Sequence, residues 1–97
     1  MEQSKNEKAL VELLPSEKYA SSEWDIIISD KEVTCINCYY ASAPKEYAIV
    51  FPIINNAIHC KRFAIRTMDT INNRTMQAMQ AYYKNYIDMF FDDVISL

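Results

Sequence analysis

The residues best suited to chemistry in this sequence are three cysteines and a single histidine. Cys35 and Cys38 form a Cys-x-x-Cys pair, and His59 and Cys60 lie next to each other further along the chain. Four Cys and His ligands are the usual number for a structural zinc site. The residues around them favour β-strands, however, and side chains three apart in a strand point to opposite faces of a sheet. We therefore predict no metal site and expect structural cysteines.

The same residues are weak candidates for catalysis. His59 and Cys60 could act as a base and a nucleophile, but a reactive cysteine needs nearby positive charge or a helix N-terminus. Such charge comes only from the adjacent Lys61 and Arg62. The chain also contains no glycine, which excludes the glycine-rich loops that bind phosphates. We expect no catalytic residues, no bound cofactor and no enzymatic activity, and an enzyme would have to use His59 and Cys60.

A basic segment lies inside a chain whose net charge is -3. Between Tyr47 and Tyr83 there are four cationic residues and a single acidic residue, Asp69. If three of these cations project from one strand near an aromatic residue, they form a patch suited to phosphates and stacked bases. An anionic small ligand or an acidic protein surface would fit equally, and the alternative is a solvated sheet face whose charges oppose aggregation. The predicted patch comprises Lys61, Arg62, Arg66 and Arg74.

The last quarter of the chain predicts a long helix with an unusually wide apolar face. From Met76 to Val94 the apolar residues recur at helical spacing. Their arc covers about 200°, which is wider than the ~100° stripe of an ordinary surface helix. One part should pack on a sheet, and the remaining flank is either covered by leucines of the N-terminal helix or free to bind another chain. Because interfaces favour Tyr, Phe and Met, we assign this flank to a partner interface formed by Tyr82, Tyr86, Met89 and Phe91.

Local patterns predict the elements that position these residues. Ser4 and Glu7 form a capping box, so a short helix should start there and end before Pro15. Runs of β-branched and aromatic residues then predict four antiparallel strands. Pro52 places the third strand at a sheet edge or ends it at Phe51. The predicted strands are residues 24–29, 32–41, 46–54 and 57–66, with a loop at 42–45.

Turn and capping residues refine this arrangement. Asn55-Asn56 suits a type I′ turn because Asn tolerates positive φ. A bulge at Lys61-Arg62 is needed to bring the apolar residues of the fourth strand to one face. Asp69 or Thr70 should cap the last helix, which we expect from about Ile71 to Val94.

These elements predict a single α+β domain of 97 residues. A four-stranded antiparallel meander sheet (residues 23–66) follows a short N-terminal helix and linker (1–22) and precedes a long C-terminal helix (69–95). Both helices should lie on one face of the sheet, which gives a two-layer sandwich. Hydrophobic residues make up 51% of the chain and charged residues 24%, as in folded proteins.

The absence of catalytic motifs favours an interaction protein. The N-terminus does not resemble a signal peptide, and no apolar run is long enough to span a membrane. With an odd number of cysteines, these features predict a cytoplasmic protein without membrane association. Abundant Ile and Asn without Gly is typical of AT-rich phage or mobile-element genes. We expect a small regulator or inhibitor that binds a larger protein, forms a homodimer, or both; the alternative is an anionic-ligand or nucleic-acid binder that uses the segment Lys61–Arg74.

Overall fold

The protein folds into an antiparallel sheet with two helices packed on one of its faces. The computed structural model describes residues 2–40 and 44–97, and the side chains of residues 8–39 and 44–97. This architecture confirms the predicted α+β class. The elements are α1 (Glu2–Leu13), β1 (Asp25–Ile28), β2 (Glu32–Tyr40), β3 (Pro44–Ile54), β4 (Ala57–His59), a 3-10 turn (Cys60–Arg62), β5 (Ala64–Thr67), α2 (Asn73–Phe90) and β6 (Val94–Ser96).

The sheet has six strands within the described residues, so the predicted four-stranded meander is wrong. The strand order is β1-β2-β3-β4-β6, and β5 pairs with β3 on the same side as β4. β4 and β5 are the two halves of the predicted fourth strand, separated by the 3-10 turn. β6 forms from residues that the apolar periodicity assigns to the end of the last helix. Part of the predicted loop at 42–45 lies outside the described residues, while Pro44 and Lys45 belong to β3.

The interruption between β4 and β5 accommodates the proline of β3. Pro52 is paired with Glu32 of β2, and the N–H of the next residue, Ile53, donates to the Lys31 carbonyl on that same side (2.9 Å). Because successive backbone groups of a strand alternate sides, the missing N–H of Pro52 faces β4 and the 3-10 turn. The prediction that the strand stops at Phe51 or forms an outer edge is therefore wrong. β3 is central, and its ladder with β4 and β5 is interrupted at Pro52.

The 3-10 turn has the effect predicted for a bulge. It shifts the register so that apolar residues on both sides of it face the core. Ile58 and Cys60 are fully buried, and Phe63 and Ile65 pack against the same cluster. The predicted turn at Asn55-Asn56 is confirmed, since these residues have φ values of 53° and 59°.

The core lies between one face of the sheet and both helices. Every second residue of β2 and β3 faces it, and Cys35 lies opposite Ile49 in the ladder. Because both helices contribute to the same cluster, they lie on the same side of the sheet, which is the predicted two-layer arrangement. The cluster includes Leu10 of α1 and Leu14 directly after it, Val33, Cys35, Tyr47, Ile49 and Phe51 from the sheet, and Met79, Tyr83 and Ile87 from α2.

The N-terminal ends of both helices differ from their predicted bounds. α1 begins at Glu2, before the predicted cap at Ser4, and ends before Pro15 as predicted. α2 is capped by Asn72 rather than by Asp69 or Thr70: the Asn72 Oδ1 accepts the backbone N–H of Thr75 (2.8 Å).

At the C-terminal end of α2, two phenylalanines have environments opposite to those predicted from the sequence. The helix ends at Phe90, and Phe91 adopts an extended conformation (φ -106°, ψ 143°) while its N–H still donates to the Ile87 carbonyl (3.0 Å). Phe91 is only 5% exposed, and its ring centroid lies 5.7 Å from that of Phe51. Phe90, which the periodicity places in the buried stripe, is 55% exposed. The prediction that the helix reaches Val94 is therefore wrong, and Phe91 belongs to the core.

A buried polar network holds the linker between α1 and β1 against the sheet. The side-chain oxygen of Asn37 accepts the N–H of Ser21 (2.9 Å), and its amide group donates to the carbonyls of Ser21 (3.1 Å) and Glu23 (2.8 Å). Tyr47, opposite Asn37 in the ladder, donates its hydroxyl proton to the carbonyl of Tyr19 (2.7 Å). The linker is thus fixed at two points by side chains of β2 and β3.

Tyr83 connects α2 to the same network. Its hydroxyl is hydrogen-bonded to the hydroxyl of Tyr47. Since Tyr47 uses its single proton on Tyr19, Tyr83 is the donor of this bond. Burial raises the pKa of both Tyr47 and Tyr83, and the neighbouring Tyr47 raises that of Tyr83 further.

We predict that the two phenylalanines at the end of α2 differ sharply in their contribution to stability. Phe91→Ala should lower the free energy of unfolding by about 3–5 kcal/mol, because it empties a buried site. The matched variant Phe90→Ala should cost less than about 1 kcal/mol, because that ring is largely exposed. Urea denaturation of both variants measures this difference, and equal costs would contradict the described end of the helix.

We also predict that the tyrosine pair makes stability decline at alkaline pH. Because the pKa of Tyr47 and Tyr83 is raised in the folded state, the unfolded state loses protons above pH ~10 that the folded state retains. Stability from these groups is therefore complete below that pH and falls as the pH rises further. Urea unfolding between pH 8 and pH 11 measures the decline. Tyr83→Phe should make the decline shallower, and an unchanged slope would show that Tyr83 does not contribute to it.

Candidate functional site

An open apolar groove, which we call the α2 groove, runs along the exposed flank of α2. Its volume is about 400 Å³. Small side chains on the helix, Ala78 and Ala81, leave space between larger ones. The larger lining residues are Tyr82, Tyr86, Met89 and Phe90 from α2, and Lys18 and Tyr19 from the linker.

The aromatic rings of the α2 groove form a continuous row. The ring centroid of Tyr86 lies 4.7 Å from that of Phe90 and 6.1 Å from that of Tyr82. Tyr82 in turn contacts Tyr19 edge to face, with 5.4 Å between centroids. The Lys18 ammonium lies 5.1 Å from the Tyr82 centroid, within the range of a cation–π interaction. The Lys18 ammonium therefore lies at one end of the groove, and the row of rings leads from it to Phe90.

The backbone of Lys18 and Tyr19 is constrained, and this holds their side chains at the groove. Lys18 has a positive φ of 69°, which is uncommon for a residue other than Gly. The N–H of Tyr19 donates to the Glu17 carbonyl (2.9 Å), and the carbonyl of Tyr19 accepts from Tyr47. The position of the Tyr19 ring therefore depends on the buried network.

Exposure is uneven along the groove. Met89 is 74% exposed and Phe90 is 55% exposed, whereas Tyr82 and Tyr86 are half-buried. Burial, followed by the charge of Glu17, raises the pKa of both tyrosines. Tyrosine hydroxyls are protonated at neutral pH in any case, so both can act as hydrogen-bond donors.

The structure brings together part of the interface predicted from the sequence. Tyr82, Tyr86 and Met89 line the groove, whereas Phe91 lies in the core and Phe90 takes its place. The leucines of the N-terminal helix, a predicted cover for this flank, pack in the main core instead. The sequence alone does not assign Tyr19 to this surface. The only signal is that it is an aromatic residue in an otherwise polar linker.

One residue of the predicted basic patch, Lys61, caps the C-terminal end of α2. The Lys61 ammonium donates to the carbonyls of Ile87 (3.0 Å) and Phe91 (3.2 Å). It also lies 3.7 Å from the Asp88 carboxylate and 3.9 Å from that of Asp93. A cation at a helix C-terminus stabilises the free carbonyls and opposes the negative end of the helix dipole. Lys61 therefore has a structural role.

The surroundings of the other three cations differ from those of Lys61. Arg66 forms an ion pair with Glu32 (3.1 Å), and because these residues belong to strands on either side of β3, the pair spans that strand. Arg62 is exposed in the 3-10 turn, and Arg74 is exposed in the first turn of α2. Since Lys61 contacts the other end of α2, about 20 Å of helix separates it from Arg74. The four residues do not form one compact patch.

The cysteines are placed for packing. Burial raises the pKa of the Cys35 thiol to about 12. It raises that of Cys60 to about 11, which outweighs the opposite effect of Lys61. His59 is hydrogen-bonded through Nε2 to the Ile54 carbonyl (3.3 Å). All three cysteines are free, and within the described residues no group of three His, Cys, Asp or Glu side chains is placed to hold a metal ion.

Comparison with known proteins gives no functional assignment for this chain. No protein-family model matches it, and no curated protein or solved structure matches it significantly. None of the helices in the part of the chain described here has the length and apolar character needed to cross a membrane. The function must therefore be inferred from the protein's own surfaces.

Proposed function

We propose that the protein is a non-enzymatic interaction module that binds a larger protein through the α2 groove. The observation that carries this proposal is the exposure of Met89 and Phe90 beside a row of tyrosines. Apolar side chains grouped on a surface favour contact with another macromolecule, because water is displaced when they are covered.

The residue types of the groove support a protein as the occupant. Tyr, Phe and Met are enriched at the cores of protein interfaces, and Met adapts its shape to different partners. Aromatic rings also provide large contact areas with few rotatable bonds, so little conformational entropy is lost on binding. The hydroxyls of Tyr82 and Tyr86 and the ammonium of Lys18 add polar groups beside the apolar surface. An apolar side chain presented by a partner would fit between them.

In this proposal the protein is a small regulator or inhibitor that acts by covering a surface of its partner. Its three free cysteines suit a reducing compartment, so we place this activity in the cytoplasm. The composition, with no Gly and abundant Ile and Asn, suits a phage or mobile-element origin. The alternative occupant of the same surface is a second copy of this chain, which would give a homodimer. This alternative must also be tested.

Binding of an anionic ligand or nucleic acid is the less favoured alternative. Lys61 and Arg66, two of the four cations on which it depends, already interact with acidic side chains. Such interactions compete with phosphate groups for the same cations. A purified protein that binds oligonucleotides at low salt, with affinity falling steeply as salt rises, would restore this alternative.

We predict that a charged residue in the α2 groove weakens partner binding without unfolding the protein. Met89→Glu should weaken the interaction at least about tenfold, because a carboxylate would be buried without a partner. Met68→Glu is the matched control, since Met68 is also an exposed methionine but lies outside the groove. The free energy of unfolding of both variants should lie within about 0.5 kcal/mol of that of the natural sequence.

Affinity capture followed by mass spectrometry identifies the partner, and titration calorimetry with that purified protein then measures each variant. Light scattering coupled to gel filtration separates a partner complex from a homodimer. A partner bound equally by Met89→Glu and Met68→Glu would exclude the α2 groove as the binding surface. Failure to capture any protein, together with a monomer in solution, would overturn the proposed function.

A further inference from the structure

The face of the sheet opposite the two helices, which we call the outer face, is unusually apolar. When an antiparallel sheet has one solvated face, apolar and polar residues normally alternate along its strands, so that the solvated face is polar. The outer face instead carries Ile27, Ile36, Ala48 and Val50, which come from β1, β2 and β3. Ile27 is 56% exposed, and Ile36 is half-buried. An apolar sheet face of this kind is suited to packing against a second layer.

An ion pair crosses the centre of the outer face. Arg66 and Glu32 are paired with the residues of β3 that lie two positions before and after Val50, so the ion pair between them passes above Val50. Val50 is therefore only 5% exposed, although it lies outside the core cluster. The methylene groups of Arg66 continue the apolar surface there. Within the described residues the guanidinium donates to Glu32 alone, which leaves other N–H groups available for a second carboxylate.

The strand register places two rows of four residues across the outer face. Residues opposite each other in neighbouring strands share a face of the sheet, and each row runs from β1 through β2 and β3 to β5. The first row has opposite charges at its two ends. The second row has a large side chain at one end and a small one at the other. In this strand order the first row is Asp25, Ile36, Ala48 and Arg66, and the second row is Ile27, Thr34, Val50 and Ala64.

These rows are self-complementary about one two-fold axis. If the axis runs along the strands, midway between β2 and β3, each row faces the same row of the other copy in reverse order. Asp25 then faces Arg66 of the other copy, and Ile27 faces Ala64 of the other copy. In the middle of the first row, the isoleucine of β2 faces the alanine of β3. Opposite charges therefore meet at the rim, and large side chains meet small ones, which lets two sheets about 10 Å apart interdigitate.

The other axis that aligns the strands of two packed sheets runs across the strands, and it gives a poor match. At the first row this axis would place Asp25 against Asp25 and Arg66 against Arg66, and like charges repel. At the second row it would place Glu32 against Ile36, where a carboxylate loses water to an apolar side chain. A row that matches its own reverse order is what a two-fold dimer requires, whereas a surface for an unrelated protein needs no such pattern. The rows therefore favour a second copy as the occupant.

From the apolar outer face and its self-complementary rows, we propose that two copies of this chain pack their outer faces together. The product is a two-fold dimer in which two sheets lie between two layers of helices. Strand spacing and rise give roughly 30 Å² of sheet for each outward residue, so about a dozen residues cover roughly 400 Å² on each copy. Stable interfaces usually bury about 800 Å² per partner, so this dimer is weak and depends on protein concentration. The α2 groove lies on the helix side of the sheet, and the two proposals succeed or fail independently.

A carboxylate introduced on the outer face tests the interface. Ala64→Glu should raise the dimer dissociation constant at least about tenfold, because the new carboxylate would be buried against Ile27 of the other copy. Ala81→Glu is the matched control, since Ala81 is also exposed but lies in the α2 groove, and it should leave the constant unchanged. Sedimentation equilibrium up to millimolar concentration measures both variants, and urea denaturation checks that each remains folded.

Charge reversal tests the position of the axis. Asp25→Lys should raise the dimer dissociation constant about tenfold at low salt, because a lysine then faces Arg66 of the other copy at both ends of the interface. Asp92→Lys is the control with the same change in net charge, and Asp92 lies between α2 and β6. Equal dissociation constants for these two variants would overturn the proposed axis. A protein that stays monomeric up to millimolar concentration, or a dimer that Ala81→Glu disrupts and Ala64→Glu does not, would refute packing through the outer face.

Discussion

The hydrogen bond between the hydroxyls of Tyr47 and Tyr83 is the interaction on which the rest of the structure depends. It joins the central strand to α2, and the proton that Tyr47 donates to Tyr19 extends it to the linker. A buried hydroxyl without a partner costs about 1–3 kcal/mol, so separating any of the three elements is unfavourable. Asn37 provides a second attachment of the linker at the adjacent position of β2. These polar contacts specify where the linker lies, which hydrophobic packing alone would leave less defined.

The α2 groove is a consequence of this network. Because the carbonyl of Tyr19 is held by Tyr47, its ring is directed toward Tyr82, where it forms one end of the aromatic row. The other end is set by the termination of α2, which Lys61 stabilises through the last carbonyls of the helix. Both ends are thus fixed by contacts in the folded chain. A binding surface that is already ordered loses less entropy when a partner docks, which favours affinity.

The fold was predictable where a local signal determines it. Asn55-Asn56 specifies its turn because few residues other than Gly accept positive φ, and the apolar pattern of residues 58–65 requires a change of register. The exchange of Phe90 and Phe91 was not predictable, since helical periodicity carries no information about where a helix ends. That end depends on Lys61, which is distant in sequence. The three-residue strand β6 and the role of Tyr19 likewise depend on contacts that only the folded chain brings together.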